Sequence, residues 1–452
     1  MNEKIYWQEQ TQKALDNFGK KMMPREWIRA FGEVKKAALQ AAFKAKGVRD
    51  LKKERAVLCA IDEIVQGLWD NQFMVPLEQG SAGTSINMNF NEVISTLANE
   101  KYKRINGLEI LIDPLEDVNQ YQSTNDLLAT AITVYVYRQI VEVEEAVILL
   151  QEKLVYQEKA LAGIMITGRT ELQNALPITL GQVFGGWAGA LERNRWQLNK
   201  LKERVRTIAL GGTAMGTSYG IPREYIFQAE ILLRDITGLP LSRSQNLVDE
   251  ISNMDKLAEV AAGFQLLALN LSKISSDLLL YTSSLSGEIS HPKLQYGSSI
   301  MPAKSNPVIL ELVKGLALEV QGECHKINLF CQNGQLQLNS FGPFVVQSFT
   351  RIHRSLIKAL SVFIEKFIDK FTINNDQIEK NLLNSGVMLN LLLPRLGYHR
   401  IKELYRELEE KPITSLKELK IFISQNTLIS LEELEDYFHP QKATSLLSGG
   451  RL

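Results

Sequence analysis

Residues 257–281, LAEVAAGFQLLALNLSKISSDLLLY, decide how this chain folds. Leu257, Val260, Phe264, Leu267, Leu271, Ile274, Leu278 and Tyr281 recur at alternating steps of three and four. That spacing puts all of them on one narrow stripe of an α-helix. Pro292 follows and would stop the helix. Ile132, Val136, Ile140, Val143, Val147, Leu150 and Leu154 repeat the stripe in a stretch free of proline between Pro114 and Pro177. A third helix starts at Pro307 and runs through VILELVKGLALEVQGECHKI, because proline suits a first helical position. A fourth covers about 344 to 371.

Helices this long exceed the usual length of about 11 residues and need partners along their whole length. They predict an all-α long-helix bundle, shared between subunits. No strand alternation of any length competes with it. The chain up to about 124 is more broken, with Gly19, Pro24, Gly32, Gly47 and Gly67. After about 384 it turns to shorter, charged helices with Pro394, Pro412 and Pro440. Three domains are expected: 1–124, 125–384 and 385–452.

Basic and acidic residues balance at 51 each, so no global field favours nucleic acid or an anionic membrane. The lysines at 35, 36, 44, 46, 52 and 53, flanked by Glu33 and Glu54, read as a solvated helix face. Cys59, Cys324 and Cys331 show no paired spacing, which argues against a disulfide framework and fits a reducing cytoplasm. Cys324 and Cys331 share a helix face and read as core. The start, MNEKIYWQEQ, has no apolar signal region, and no run reaches the roughly 18 apolar residues of a membrane span.

Polar groups concentrate at helix starts. GSAGTSINMN, 80–89, precedes a helical run, and YQSTND, 121–126, precedes the 132–154 stripe. One residue suffices to cap a helix, so three consecutive hydroxyl and amide groups exceed that need. A helix N-terminus with nearby hydroxyls is also an anion site. GSSIMPAKSNP, 297–307, is a loop bounded by Gly297 and Pro307 that carries Ser298, Ser299, Lys304 and Asn306 with no acid among them. Donors without acids suit a carboxylate or phosphate. TGRTELQNALP, 167–177, again precedes a long helix, with Arg169 and Thr170 as donors beside Glu171.

At these segments the sequence resembles the aspartase/fumarase superfamily. GSSIMPAKSNP is similar to that superfamily's signature loop, with Ala303 where glycine is common. GTSINMNFNEV, QSTND, GRTELQNALPITLGQVF and GGTAMGT (211–217) match its other boxes in order. The resemblance implies three largely helical domains and a tetramer with a twenty-helix core. It implies active sites each shared by three subunits, and reversible elimination next to a carboxylate without metal or organic cofactor. Its substrates would be small dicarboxylates or amino acids, with no nucleic acid or membrane partner.

Carried over position by position, the resemblance makes Ser298 the base at Cβ, with Lys304 stabilising its alkoxide. Thr84, Ser123, Thr124 and Ser299 would bind the aci-carboxylate. Thr170, Lys304 and Asn306 would hold the other carboxylate, and Asn125 would sit by the leaving group. Ser85, Glu171 and Met301 complete the expected substrate contacts. GTS in the first box and Leu172 in RTELQ favour the aspartase branch, hence ammonia release from L-aspartate. Alternatives are a modified or N-substituted aspartate, fumarate hydration, or a weakened structural homologue, against which the presence of Ser298 and Lys304 stands.

Besides Ala303, four positions depart from the family pattern. Glu171 stands where His or Gln is usual, and Gln337 where Glu is usual. Lys13 replaces an arginine, and Tyr121 a serine. The five histidines lie outside the boxes, so no catalytic histidine is expected.

Overall fold

The computed structural model describes residues 4–411 and 413–444, and they are largely helical. The helices are α1 (Glu9–Phe18), α2 (Arg25–Ala45), α3 (Leu51–Gln66), α4 (Thr84–Asn106), α5 (Thr124–Ala160), α6 (Leu180–Arg204), α7 (Arg223–Thr237) and α8 (Leu247–Ser252). They continue with α9 (Asp255–Tyr281), α10 (Val308–Cys331), α11 (Gly342–Phe363), α12 (Asn375–Ser385), α13 (Leu393–Glu409), α14 (Leu416–Asn426), α15 (Leu431–Tyr437) and α16 (Pro440–Ala443). The four expected long helices are α5, α9, α10 and α11, the last followed by a π-turn at Ile364–Ile368. The chain divides into two compact units. The first comprises Met1–Glu144, Trp196–Leu266 and Glu319–Leu356, and the second Glu145–Arg195, Leu267–Leu318 and Ile357–Leu452.

The stripes that predicted α5 and α9 are their buried faces. From Ile132 to Leu154 on α5, every stripe residue is at most 1% exposed. From Leu257 to Leu278 on α9 none exceeds 3%. Among the described residues α9 is by length and mean hydropathy apolar enough to cross a bilayer, although polar residues break its apolar run. Its stripe is core, and Glu259, Lys273 and Asp277 interrupt the rest of its surface.

In the first unit, α2 buries Trp27, Phe31, Val34, Leu39 and five alanines, and α4 buries Phe90 against Phe31 and Phe73. Local chemistry fixes the helix ends. Asp50 accepts the Lys52 and Lys53 N–H groups to start α3, and Gly67 in a left-handed conformation ends it. Lys35 departs from the expected solvated face, being fully buried on α2. It lies at helical spacing between Phe31 and Leu39, so it belongs to the apolar stripe.

In the second unit, the segment that begins TGRTELQNALP is a two-stranded antiparallel sheet, β1 (Met165–Thr170) and β2 (Gln173–Thr179). The expectation that no strand of any length competes with helix fails here. The hairpin turn is Glu171–Leu172, with both residues at positive φ, 51° and 62°. Two-residue turns with both φ positive usually take Asn-Gly or Asp-Gly. The residues most diagnostic of such a turn are absent, so the sequence did not advertise it. Shorter pairs complete the strands: Thr207–Ile208 with Ser242–Arg243 in the first unit, and Ile289–Ser290 with Thr372–Ile373 in the second.

Candidate active site

The 297–307 loop of the second unit is closed at its base by its own backbone. The Gly297 N–H donates to the Lys304 carbonyl at 3.1 Å, and the Asn306 amide nitrogen donates to the Gly297 carbonyl at 3.1 Å. A Cβ at Gly297 would lie 2.6 Å from the Lys304 carbonyl oxygen, which explains the glycine. Ser299, Met301 and Lys304 are exposed on the loop, while Ser298 is half-buried. The Ser298 Oγ accepts the backbone N–H groups of Ile300 and Met301, at 3.2 and 3.1 Å. Two N–H dipoles aimed at a hydroxyl oxygen favour its anionic form. The loop therefore lowers the cost of using a serine as a base.

In the first unit, the YQSTND segment starts α5 with a reciprocal cap. The Ser123 Oγ accepts the Asn125 N–H at 3.2 Å, and the Asp126 carboxylate accepts the Ser123 N–H at 3.2 Å. Ser123 and Asp126 thus satisfy the capping need, and Thr124 and Asn125 are left half-buried for other partners. Asn125 donates to the Ala214 carbonyl at 2.7 Å. The other Asp126 oxygen accepts the Gly211 and Thr213 N–H groups at 3.1 and 3.0 Å. This carboxylate ties QSTND to GGTAMGT. Burial pushes its pKa up to about 7, against the opposing pull of these backbone donors.

Thr84 is the exposed first residue of α4, and Ser85 is half-buried. Behind them the asparagines of GTSINMNFNEV are buried struts. The Asn87 amide nitrogen donates to the Thr124 Oγ1 at 3.2 Å, which brings the first two polar boxes together. Asn89 donates to the Gln72 carbonyl at 3.1 Å. Glu92 accepts the Gln8, Gln10 and Thr11 N–H groups at 2.9–3.0 Å and so caps α1. Lys35 reaches Asn87 at 2.8 Å and Asn119 at 3.1 Å through amide oxygens. Burial drives its pKa well below the ordinary lysine value, with Asp126 opposing. Tyr225 is buried near the same carboxylate and its pKa is pushed well above the usual tyrosine value, chiefly by burial.

Thr170 and Glu171 stand exposed at the β1–β2 tip. Arg169 beside them is turned inward. Its guanidinium meets the fully buried Glu288 at 2.8 and 3.0 Å, and pairing with that carboxylate raises its pKa. Asn381 and Ser286 complete the Glu288 shell at 2.9 and 3.1 Å. Gln337 is exposed in a tight turn closed between Gln335 and Leu338 in the first unit. Among the described residues no group of three or more His, Cys, Asp and Glu side chains is placed to hold a metal.

The sequence reading missed Lys35, Asn87, Asn119, Asp126 and Glu288. The one usable signal was Lys35 at apolar helical spacing. The others look like caps or polar helix faces until the fold closes around them.

The profile of the family described as Lyase matches residues 2–322. Aspartate ammonia-lyase of Helicobacter pylori (strain ATCC 700392 / 26695) is 32% identical, with 98% of this chain and 96% of the relative aligned. Aspartate ammonia-lyase of Bacillus subtilis (strain 168) is 34% identical, over 97% and 93%. Fumarate hydratase class II of the same H. pylori strain is equally similar at 32%, over 98% and 96%. Among solved structures, native fumarate lyase:delta crystallin from Brucella melitensis superposes with a TM-score of 0.86 at 32% identity, covering 97% of each chain. A recombinant class II fumarase from Schistosoma mansoni shares the fold, with a TM-score of 0.87 at 24% identity over 98% and 96%. With its boxes, its helical fold and these relatives in agreement, the chain belongs to the aspartase/fumarase family of lyases.

Proposed function

We propose that this lyase eliminates ammonia from L-aspartate to give fumarate. The observation that carries the reading is the pair of backbone N–H groups on the Ser298 Oγ. As an alkoxide, Ser298 takes the Cβ proton. The electron pair moves into the adjacent carboxylate as an aci-carboxylate dianion, then returns to form the double bond as the carbon–nitrogen bond breaks. The nitrogen leaves as ammonia. Lys304 supports the Ser298 alkoxide, and Thr84, Ser123, Thr124 and Ser299 donate to the dianion. Lys304, Thr170 and Asn306 hold the second carboxylate, Asn125 faces the leaving group, and Ser85, Met301 and Glu171 line the substrate. Each donor to the dianion is worth about 2.7–4 kcal/mol in the transition state.

We place the enzyme in the cytoplasm as a homotetramer with each active site drawn from three chains, and divide each chain at 124 and 384. Supporting the tetramer, Leu266, Leu269 and Leu280 on α9 and Leu318 and Leu329 on α10 are 41–54% exposed. Uncovered leucines on core helices call for a partner. A stable monomer by light scattering would remove the shared site.

The first experiment follows the ultraviolet absorbance of fumarate appearing from L-aspartate, with L-malate alongside and Ser298→Ala as control. A Ser298-dependent rise with aspartate alone is expected. A folded tetramer inert on both overturns the aspartate assignment. A second reading, a lyase for an N-substituted aspartate, is favoured by Glu171 and Gln337, which place the acid on the hairpin tip and the amide in the 335–338 turn.

A further inference from the structure

We propose that a buried amide network ending on Lys35 sets the direction of the Thr124 hydroxyl, making Lys35 and Asn87 positioning residues for the elimination. The inference rests on the reading of Thr124 as a donor to the substrate carboxylate.

The polarity of the network starts from a group that can only accept. The Asn119 amide nitrogen donates to the Gln122 backbone carbonyl at 3.2 Å. The Asn119 Oδ1 therefore faces inward. There it receives the Lys35 Nζ at 3.1 Å, the Asn87 Nδ2 at 3.0 Å and the Asn91 Nδ2 at 3.3 Å. The Asn87 amide is fixed in turn, with its nitrogen toward Asn119. Its second N–H reaches the Thr124 Oγ1 at 3.2 Å, and its oxygen is closed by the Lys35 Nζ at 2.8 Å.

A threonine hydroxyl carries one hydrogen. Because the Thr124 Oγ1 accepts from Asn87, that hydrogen stays free for a ligand, and no protein acceptor takes it among the described residues. A donor is what a dianionic carboxylate requires. With Asn87 reversed, its oxygen would take the Thr124 hydrogen and would also meet the Asn119 Oδ1, acceptor against acceptor. Lys35 holds the correct orientation from behind. It is 0% exposed and Asn87 is 3% exposed, so solvent does not compete for these contacts. A core position between Phe31 and Leu39 needs no nitrogen for packing, and burying one is costly unless it is hydrogen-bonded.

The test uses the full-length enzyme with fumarate absorbance as readout. Asn87→Asp keeps the shape and gives Lys35 a carboxylate, but turns the Thr124-facing group into an acceptor. The expected result is a fall in kcat of about 100-fold, the loss typical of one oxyanion donor. In a Thr124→Val background the same change should cost nothing more, because both act through one hydrogen bond. Lys35→Met is the second variant, with the same expected non-additivity, and covers the case in which Asn87→Asp fails to fold. Wild-type kcat in Asn87→Asp, or effects that multiply fully with Thr124→Val, would overturn the inference while leaving Ser298 chemistry intact. A wild-type enzyme that eliminates from no 2-substituted succinate would overturn the catalytic reading and this inference with it.

Discussion

Arg169 and Glu288 form a two-pronged ion pair in which the carboxylate is fully buried, at 2.8 and 3.0 Å. The pair pins the strand that presents Thr170 and Glu171 to a segment more than a hundred residues away. Breaking one partner of a buried pair leaves an uncompensated charge, which costs about 3–5 kcal/mol. Arg169→Met should therefore lower the urea midpoint by that equivalent, and adding Glu288→Gln should recover part of the loss. A cost below about 1 kcal/mol in the single variant would mean that Asn381 and Ser286 satisfy Glu288 alone.

How much of this was legible in the sequence follows from how local each signal is. The α5 and α9 seams were readable because seven or eight apolar side chains kept one helical phase. The 297–307 loop was readable because glycine and proline bracket a run of donors. The hairpin was not, because Glu171 and Leu172 occupy left-handed positions where glycine or asparagine would have signalled a turn. Lys35 was misread, and Asn87 and Asp126 were missed, for a different reason. A buried polar group is defined by partners far along the chain, as with Lys35 and Asn119, and its own neighbours look like any helix face or cap.

The Asp126 carboxyl should give folding stability a pH dependence opposite to that of a salt-bridged aspartate. Its pKa in the fold is about 7, above the ordinary value of 3.8. The folded state thus binds its proton more tightly than the unfolded state. The associated stability is fully present below about pH 4 and is lost as pH rises through about 7. Lys35, whose own pKa is lowered by burial, and Tyr225 share this pocket; the Asp126 charge raises the pKa of each, so Asp126→Asn removes that pull as well. That variant should flatten the slope of stability between pH 4 and 7, measured by urea unfolding, whatever it does to absolute stability. An unaltered slope would place the titration elsewhere.

Gly297→Ala tests whether the closed base of the loop matters to Ser298. The added methyl would fall 2.6 Å from the Lys304 carbonyl oxygen and 2.9 Å from the Asn306 nitrogen, both backbone atoms that cannot swing aside. Forcing them apart breaks the Gly297–Lys304 hydrogen bond and with it the turn that points the Ile300 and Met301 N–H groups at Ser298. Activity should fall on the order of 100-fold, as for loss of a positioned base. Far-UV circular dichroism should not change, since the loop lies outside the helical core. Activity within twofold of wild type would show that the loop's closure is irrelevant to the base.

The exchange of Glu171 and Gln337 carries the substrate question. On the proposed assignment of Glu171 to the substrate, a carboxylate at 171 would favour a nitrogen held as a cation and disfavour a neutral hydroxyl. Reversing the two, Glu171→Gln with Gln337→Glu, returns the acid to the 335–338 turn. Charge repulsion or attraction at about 4 Å is worth on the order of 1–4 kcal/mol between water-like and surface-like dielectrics. The ratio of kcat/KM for amine over hydroxyl substrates should accordingly shift by about tenfold or more in the double variant. Both residues are exposed, so the folded state should tolerate the change, and circular dichroism provides the control. An unchanged ratio in a folded, active double variant would make Glu171 a neutral replacement and return the choice of substrate to the loop and cap residues.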